Sequence, residues 1–251
     1  MPLILVTNDD GVHSPGLIVL MKAMKELGET FVVAPDRERS AVGHALTIHR
    51  PLKAELLREG LWSINGTPTD CVAVAVEKLL GRRPDIIVSG INRGGNLGDD
   101  LTYSGTVSAA MEGTIMGITS MAVSLVTDGG QPYHFDTAAH YATQAARHII
   151  ERALPFDTFL NINVPNLPIK DIRGVRFTRQ GKRIYAGSIH ETFSPSGEKY
   201  YWIGGGRPFW EHGEDTDISA VMEGYVSITP VHMDLTNHEA IDLLKRQWGS
   251  P

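Results

Sequence analysis

Two adjacent carboxylates, Asp9 and Asp10, stand after the apolar run Leu3-Ile4-Leu5-Val6 and just before Gly11. Like charges side by side repel, so either one of them stays protonated or a cation lies between them. A divalent metal is the simplest resolution. More oxygen donors follow later apolar runs: Asp36, Glu38 and Ser40 come after residues 30–34, and Asn92 and Asn96 come after residues 84–89. Oxygen ligands of this kind suit Mg²⁺, Mn²⁺ or Ca²⁺. The ten histidines show no paired ligand spacing near these positions, which weighs against zinc. Further along, Tyr103-Ser104-Gly105-Thr106 stands at the expected start of a helix. Free backbone N–H groups, the helix dipole and two hydroxyls make an anion pocket there, with phosphate its natural guest. Ser104 and Thr106 are equally the residue types that cap helices.

These groups need a scaffold that gathers them. Residues 3–10 read as an apolar run that forms a strand buried on both faces with Asp9 and Asp10 at its tip, since parallel strands covered on each side are continuous apolar runs. Pro15-Gly16 opens a helix with Leu17, Leu20, Met21, Met24 and Leu27 at helical spacing, closed by Gly28. Strands follow at 30–34, 84–89, 120–126 and 158–164, with helices at 69–80, 104–116 and 136–152 and two short β-like runs around 52–57 and 61–64. Residues 36–50 form a polar, charged loop. Residues 90–98 hold four glycines in nine positions and cannot be a regular element. This alternation predicts a doubly wound, mainly parallel sheet over residues 1–165, with the donors of three strand ends clustered at one edge.

After Pro165 the character changes. Strands are expected at 175–178, 200–203 and 225–230 and a last helix at 237–248, with Ser194-Pro195-Ser196-Gly197 as a hairpin turn. A hairpin carrying Tyr200, Tyr201 and Trp202 has too few neighbours in its own chain to bury them, so a partner subunit is expected there. Residues 166–251 thus read as an oligomerisation extension of the same folding unit.

Composition is that of an ordinary globular protein, 42% hydrophobic and 21% charged over 251 residues. A net charge of −6 argues against duplex nucleic acid as a partner, because such binding draws on a basic surface. Cys71 is the single cysteine, which forbids an intrachain disulfide and fits a reducing cytoplasm. No stretch approaches the length and apolarity of a membrane span, and no signal peptide is evident.

The motifs then become specific. Val6-Thr7-Asn8-Asp9-Asp10-Gly11, Val33-Ala34-Pro35-Asp36 with Arg39-Ser40, Gly66-Thr67-Pro68-Thr69-Asp70-Cys71, Ser89-Gly90-Ile91-Asn92-Arg93-Gly94 with Asn96, and Tyr103-Ser104-Gly105-Thr106-Val107 together resemble the SurE family of survival-protein phosphatases. Leu160-Asn161-Ile162-Asn163-Val164-Pro165 and Glu223-Gly224-Tyr225-Val226-Ser227-Ile228-Thr229-Pro230 extend the resemblance over nearly the whole chain. It implies a metal-dependent 5′-nucleotidase acting on nucleoside monophosphates, with some members also accepting 3′-nucleotides or short polyphosphate. It also implies a Rossmann-like three-layer sandwich whose C-terminal hairpin and helix are exchanged between subunits, giving a homodimer or homotetramer. The family's metal ligands fall on Asp9, Asp10, Ser40 and Asn92, for one divalent cation per subunit, and its phosphate-contacting region on Asn96, Ser104, Gly105 and Thr106. Asp9 or Asp10 would accept the proton of the attacking water or act as nucleophile, and spacing does not decide between them. Asp9 is favoured as the group nearest the attacking oxygen, and His13 and His44 are candidates for protonating the leaving group.

Other classes fit less well. Zinc-dependent deacetylases add histidines to an Asp-Asp pair, and here Asn8 occupies the preceding place. Haloacid-dehalogenase-type phosphatases separate their two aspartates by one residue. A non-catalytic nucleotide-binding module explains the glycine loop without requiring paired carboxylates.

Overall fold

The computed structural model describes residues 1–127, 129–184, 189–203, 209–210 and 213–249. The strands are β1 (Leu3–Thr7), β2 (Glu29–Pro35), β3 (Ala54–Arg58), β4 (Leu61–Ile64), β5 (Ile86–Arg93), β6 (Ser120–Val126), β7 (Thr158–Pro165), β8 (Val175–Phe177), β9 (Arg183–Ile184), β10 (Ile189–Phe193), β11 (Lys199–Ile203), β12 (Phe209–Trp210) and β13 (Val226–His232). The helices are α1 (Pro15–Met24), α2 (Pro68–Val74), α3 (Gly105–Ile115), α4 (Phe135–Arg152), α5 (Asp217–Met222) and α6 (His238–Trp248). A nine-stranded sheet runs β3-β4-β2-β1-β5-β6-β7-β13-β8, parallel except at the β3–β4 and β7–β13 pairs. Among the described residues no helix is long and apolar enough to cross a membrane.

The alternation of strand side chains divides the core into two layers. Ile4, Val6, Ile86 and Val88 face α1 and α4, meeting Leu17, Leu20, Met24, Ala142 and Ile149. Leu3, Leu5 and Ile87 face α2 and α3, meeting Cys71, Val72, Ala75 and Ala109. This is a three-layer α/β sandwich. Leu3, Ile4, Leu5 and Val6 are at most 1% exposed, and burying side chains of this size contributes about 1.5–3 kcal/mol each. The same burial on both faces explains why β1 reads as an unbroken apolar run. Cys71 is fully buried in this core, and burial pushes its thiol well up from its ordinary range.

Three differences from the sequence expectations bear on the site. β5 does not stop at Ser89. Its pairing with β6 shifts register between Ser89 and Asn92, then resumes with Asn92 opposite Ser124 and Arg93 opposite Leu125. Gly90 makes this possible: its φ is +141°, and a Cβ there would meet the Val123 carbonyl oxygen at 2.4 Å. Helix α2 starts at Pro68, one residue early, because Thr67 and Asp70 form a reciprocal capping box. Finally, β8, α5 and β13 complete the sheet's far edge from beyond residue 165, and the short helix α5 was not foreseen. The antiparallel hairpin β10–β11, by contrast, has its turn at 194–197 as expected, with the Gly197 amide donating to the Ser194 carbonyl at 2.9 Å.

Candidate active site

The chain passes from β1 through α1 to β2 on one side, and β5 lies on the other side of β1, so the winding reverses between β1 and β5. Crevices beyond the strand ends at such a reversal are where open α/β sheets bind ligands. The turn after β1 is fixed by Asn8, whose Nδ2 donates to the Gly11 carbonyl at 3.1 Å and to Ser14 Oγ at 2.7 Å. Asp9 turns inward, only 4% exposed, and its Oδ1 accepts a hydrogen bond from the Thr106 hydroxyl. It lies against the N-terminus of α3, where a Cβ on residue 105 would approach the Asp9 Cβ to 2.8 Å, so only glycine fits. Asp10 is half-buried and accepts the Arg93 amide at 3.2 Å. The loop after β2 is strapped over this turn: the Arg39 amide donates to the Asp9 carbonyl at 2.7 Å, and Ser40 follows next in the chain.

A cleft of about 230 Å³ opens here, with Asp9, Asp10, Ser40, Asn92, Asn96 and Ser104 in its walls. Six of the eight residues expected at the site are therefore brought together from four strand and helix ends. Gly105 and Thr106 lie behind the wall, and the fully buried Thr106 hydroxyl is committed to Asp9. Ser104 Oγ accepts the Val107 amide at 3.1 Å and caps α3. Ser40 donates to Glu38 Oε1 at 2.7 Å, and Asn92 donates to the Gly94 carbonyl at 2.9 Å. Neither histidine candidate lines the cleft: His44 pairs with Glu112 at 2.8 Å, and His13 lies in a neighbouring hollow.

Several supporting residues carried no role in the sequence reading. Asn161 and Asn163 each donate to the Asn96 carbonyl, at 2.8 and 3.1 Å, while Asn163 Oδ1 accepts the Asn96 amide and Ser124 accepts its side chain. A visible signal was present: two asparagines at i and i+2 in an otherwise apolar strand share one face. Asp99 and Asp100 hold the chain before the hairpin. Asp99 accepts the Arg183 amide at 3.0 Å, and Asp100 pairs with the Arg183 guanidinium, while capping falls to Ser104. Asp36 bridges to Arg39 at 3.2 Å.

Electrostatics favour a positive guest. Burial raises Asp9 from its ordinary value to about 6, with the charge on Asp10 adding to the rise and hydrogen bonds from Thr106 opposing it. Asp10 is also raised by burial, with Glu38 adding repulsion and the Arg93 amide opposing. Carboxylates so placed are stabilised in their ionised form by a cation between them. Among the described residues no group of three His, Cys, Asp or Glu side chains forms a metal cluster. The quartet Asp9, Asp10, Ser40 and Asn92 has only two members of those types and offers oxygen donors throughout, a set that fits a hard cation.

Comparison with known proteins agrees with this architecture. The family model described as "Survival protein SurE" matches residues 4–187. The 5′-nucleotidase SurE of Geobacter sulfurreducens is 55% identical over 243 residues, covering 96% of this chain and 92% of that protein. Its counterpart in Geobacter metallireducens is 54% identical, covering 96% of each. The crystal structure of the SurE protein from Aquifex aeolicus superposes with a TM-score of 0.87 at 42% identity, covering 98% of this chain and all of that one. A match across most of the chain, in sequence and in fold, means that the chain belongs to the SurE family.

Proposed function

We propose that this protein is a divalent-cation-dependent 5′-nucleotidase that hydrolyses nucleoside 5′-monophosphates, with 3′-nucleotides and short polyphosphate as further substrates. The observation that carries the reading is the convergence of Asp9, Asp10, Ser40 and Asn92 on one cleft beside the N-terminus of α3. The names of the relatives supply the substrate class.

In the reaction a water oxygen bonds to phosphorus, the ester P–O bond breaks, and nucleoside and inorganic phosphate leave. Asp9, in the cleft wall and nearest the helix end, takes the water proton, and the departing ester oxygen takes a proton from solvent. Asp9, Asp10, Ser40 and Asn92 would hold the cation, which when bound neutralises phosphoryl charge and polarises water. The amides at the start of α3 face developing negative charge with the positive end of the helix dipole. Asn96 and Ser104, in the cleft wall, orient the phosphoryl oxygens. Thr106 acts behind the site by fixing Asp9. The same reading places the protein in the cytoplasm as a homodimer or homotetramer; the exposed aromatics of β11 support the assembly.

Purified protein should release phosphate from AMP or GMP, lose the activity on chelation, and regain it with Mg²⁺ or Mn²⁺ better than with Zn²⁺. Activity that survives exhaustive chelation, with no metal found by elemental analysis, would reject the cation. Nucleotide binding without turnover under every metal condition would reduce the protein to a binding module.

A further inference from the structure

A second hollow, of about 330 Å³, adjoins the cleft and shares Asp10, Glu38 and Arg93 with it as common walls. Its other sides are the turn 11–16, Asp36 and Arg37 from the loop after β2, and the rings of Tyr133 and Phe135 ahead of and within the first turn of α4. The hollow between α1 and α4, lined by residues such as Lys22, His140 and Arg147, shares no residue with the cleft. A phosphate monoester whose phosphoryl group lies against Asp9 and Asp10 must lay its alcohol portion in adjoining space, and the Asp10–Glu38–Arg93 border provides it. The volume falls within the roughly 300–1,000 Å³ of small-molecule sites.

We propose that this hollow receives the nucleoside half of the substrate, with the base stacked on Tyr133 and the sugar hydroxyls donating to Glu38 and Asp36. The inference rests on the nucleotidase reading and extends it to the residues that recognise what the phosphate is attached to. The Arg93 guanidinium already lies over the Tyr133 ring, 5.9 Å from its centroid, and the Tyr133 and Phe135 rings meet at 5.9 Å with a 46° tilt. A flat cation over an aromatic face marks a surface suited to a planar heterocycle. The platform is held in place before any ligand arrives. Asn166, at the end of β7, donates to the Pro132 carbonyl at 3.0 Å and accepts the His134 amide at 2.8 Å, bracketing Tyr133 from both sides of the chain. Carboxylates at Asp36 and Glu38 are acceptors, as sugar hydroxyls require. Stacking is tolerant of base identity, so this site favours nucleotides over simple phosphate esters more than it ranks one base over another.

The test compares AMP with glycerol 3-phosphate, which carries the ester but no base. Tyr133→Leu should lower kcat/KM for AMP by about tenfold or more, mainly through KM, the scale of a lost base–aromatic stack. For glycerol 3-phosphate it should change less than about twofold, and Tyr133→Phe should restore the AMP value because the ring is kept. Independently of any variant's folding, irradiating wild-type protein with 8-azidoadenosine 5′-monophosphate should label peptides containing residues 10–16 or 131–135. Equal losses on both substrates, an AMP value unmoved in Tyr133→Leu, or label confined to other peptides would overturn the assignment while leaving the nucleotidase reading intact. Wild-type protein that turns over no nucleotide with Mg²⁺ or Mn²⁺ would overturn that reading and this inference with it.

Discussion

Asp9 and Asp10 are neighbours in sequence and strangers in environment. Both line the cleft, but Asp9 is almost fully buried against α3 while Asp10 is half-buried, and the charge on Asp10 adds to the rise that burial imposes on Asp9. Raising an acid in the fold means that its contribution to stability is fully present below the unfolded value of 3.8 and lost as pH rises through about 6. Without metal, ionised Asp9 therefore destabilises the protein at neutral pH. Asp9→Asn keeps an oxygen for the Thr106 hydroxyl and removes the buried charge. In chelator it should raise stability at about pH 7.5 by at most about 3 kcal/mol, a gain that shrinks away toward about pH 4 in urea unfolding curves. The same variant, and Asp10→Asn, should lower phosphatase turnover at least about a hundredfold at saturating metal. Near-normal turnover in either folded variant would remove these residues from the chemistry, and an Asp9→Asn protein destabilised at every pH would contradict the burial argument. The carboxylate pair was legible because an apolar run ended in it. The Thr106 contact was not, since its partner lies 97 positions away and a hydroxyl at a helix start reads equally as a cap.

Strand and helix ends, more than single residues, decide which donors meet. Apolar runs and glycine stops made β1, β6, β7 and their helices readable, because those segments are buried on both faces and their local pattern agrees with their place. β5 was read short, since its continuation through Gly90 depends on pairing with β6 and not on its own sequence. α5, six residues long, has no periodicity to display. Its first residue nevertheless ties two loops together. The fully buried Asp217 carboxylate accepts the amides of Gly98 at 2.8 Å, Gly181 at 2.9 Å and Ile218 at 2.8 Å. Gly98 opens the turn that carries Asp100 and Tyr103 into the cleft wall. Asp217→Ala orphans these buried donors and should cost about 2–4 kcal/mol by urea denaturation, given about 1–3 kcal/mol for each unsatisfied group and partial relaxation. It should also raise KM for nucleotide by loosening the turn. Unchanged stability and KM would show that the loops are held by other contacts.

At the scale of the molecule, the hairpin β10–β11 has large apolar side chains that no other described residues bury. Ile189, Phe193, Tyr200, Tyr201, Trp202 and Ile203 are all at least half exposed, and consecutive strand residues point to opposite faces, so both faces are apolar and open. An isolated two-stranded hairpin is marginal in water, and apolar surface of this kind marks an interaction site. α6 adds Ile241, Leu243, Leu244 and Trp248, none of them buried. Burying one such large side chain against a second copy contributes about 1.5–3 kcal/mol, and closed two-fold dimers are the commonest way to do so. The root of the arm is tied beside the cleft through Arg183 on Asp100, which lines the cleft, and Lys182 on Asp99, its neighbour in the chain. Removing all of residues 183–206 would also break the Arg183–Asp100 pair. Replacing only residues 189–203 with a short Gly-Ser linker separates the two effects. Light scattering should find the full chain as a dimer or tetramer at micromolar concentration and the shortened chain as a smaller species, or one prone to precipitate. Mg²⁺ or Mn²⁺ binding at Asp9 and Asp10, followed by calorimetry, should persist in whatever remains soluble. A monomeric full chain, or a shortened chain with an unchanged number of subunits, would mean that the aromatic arm does not build the assembly.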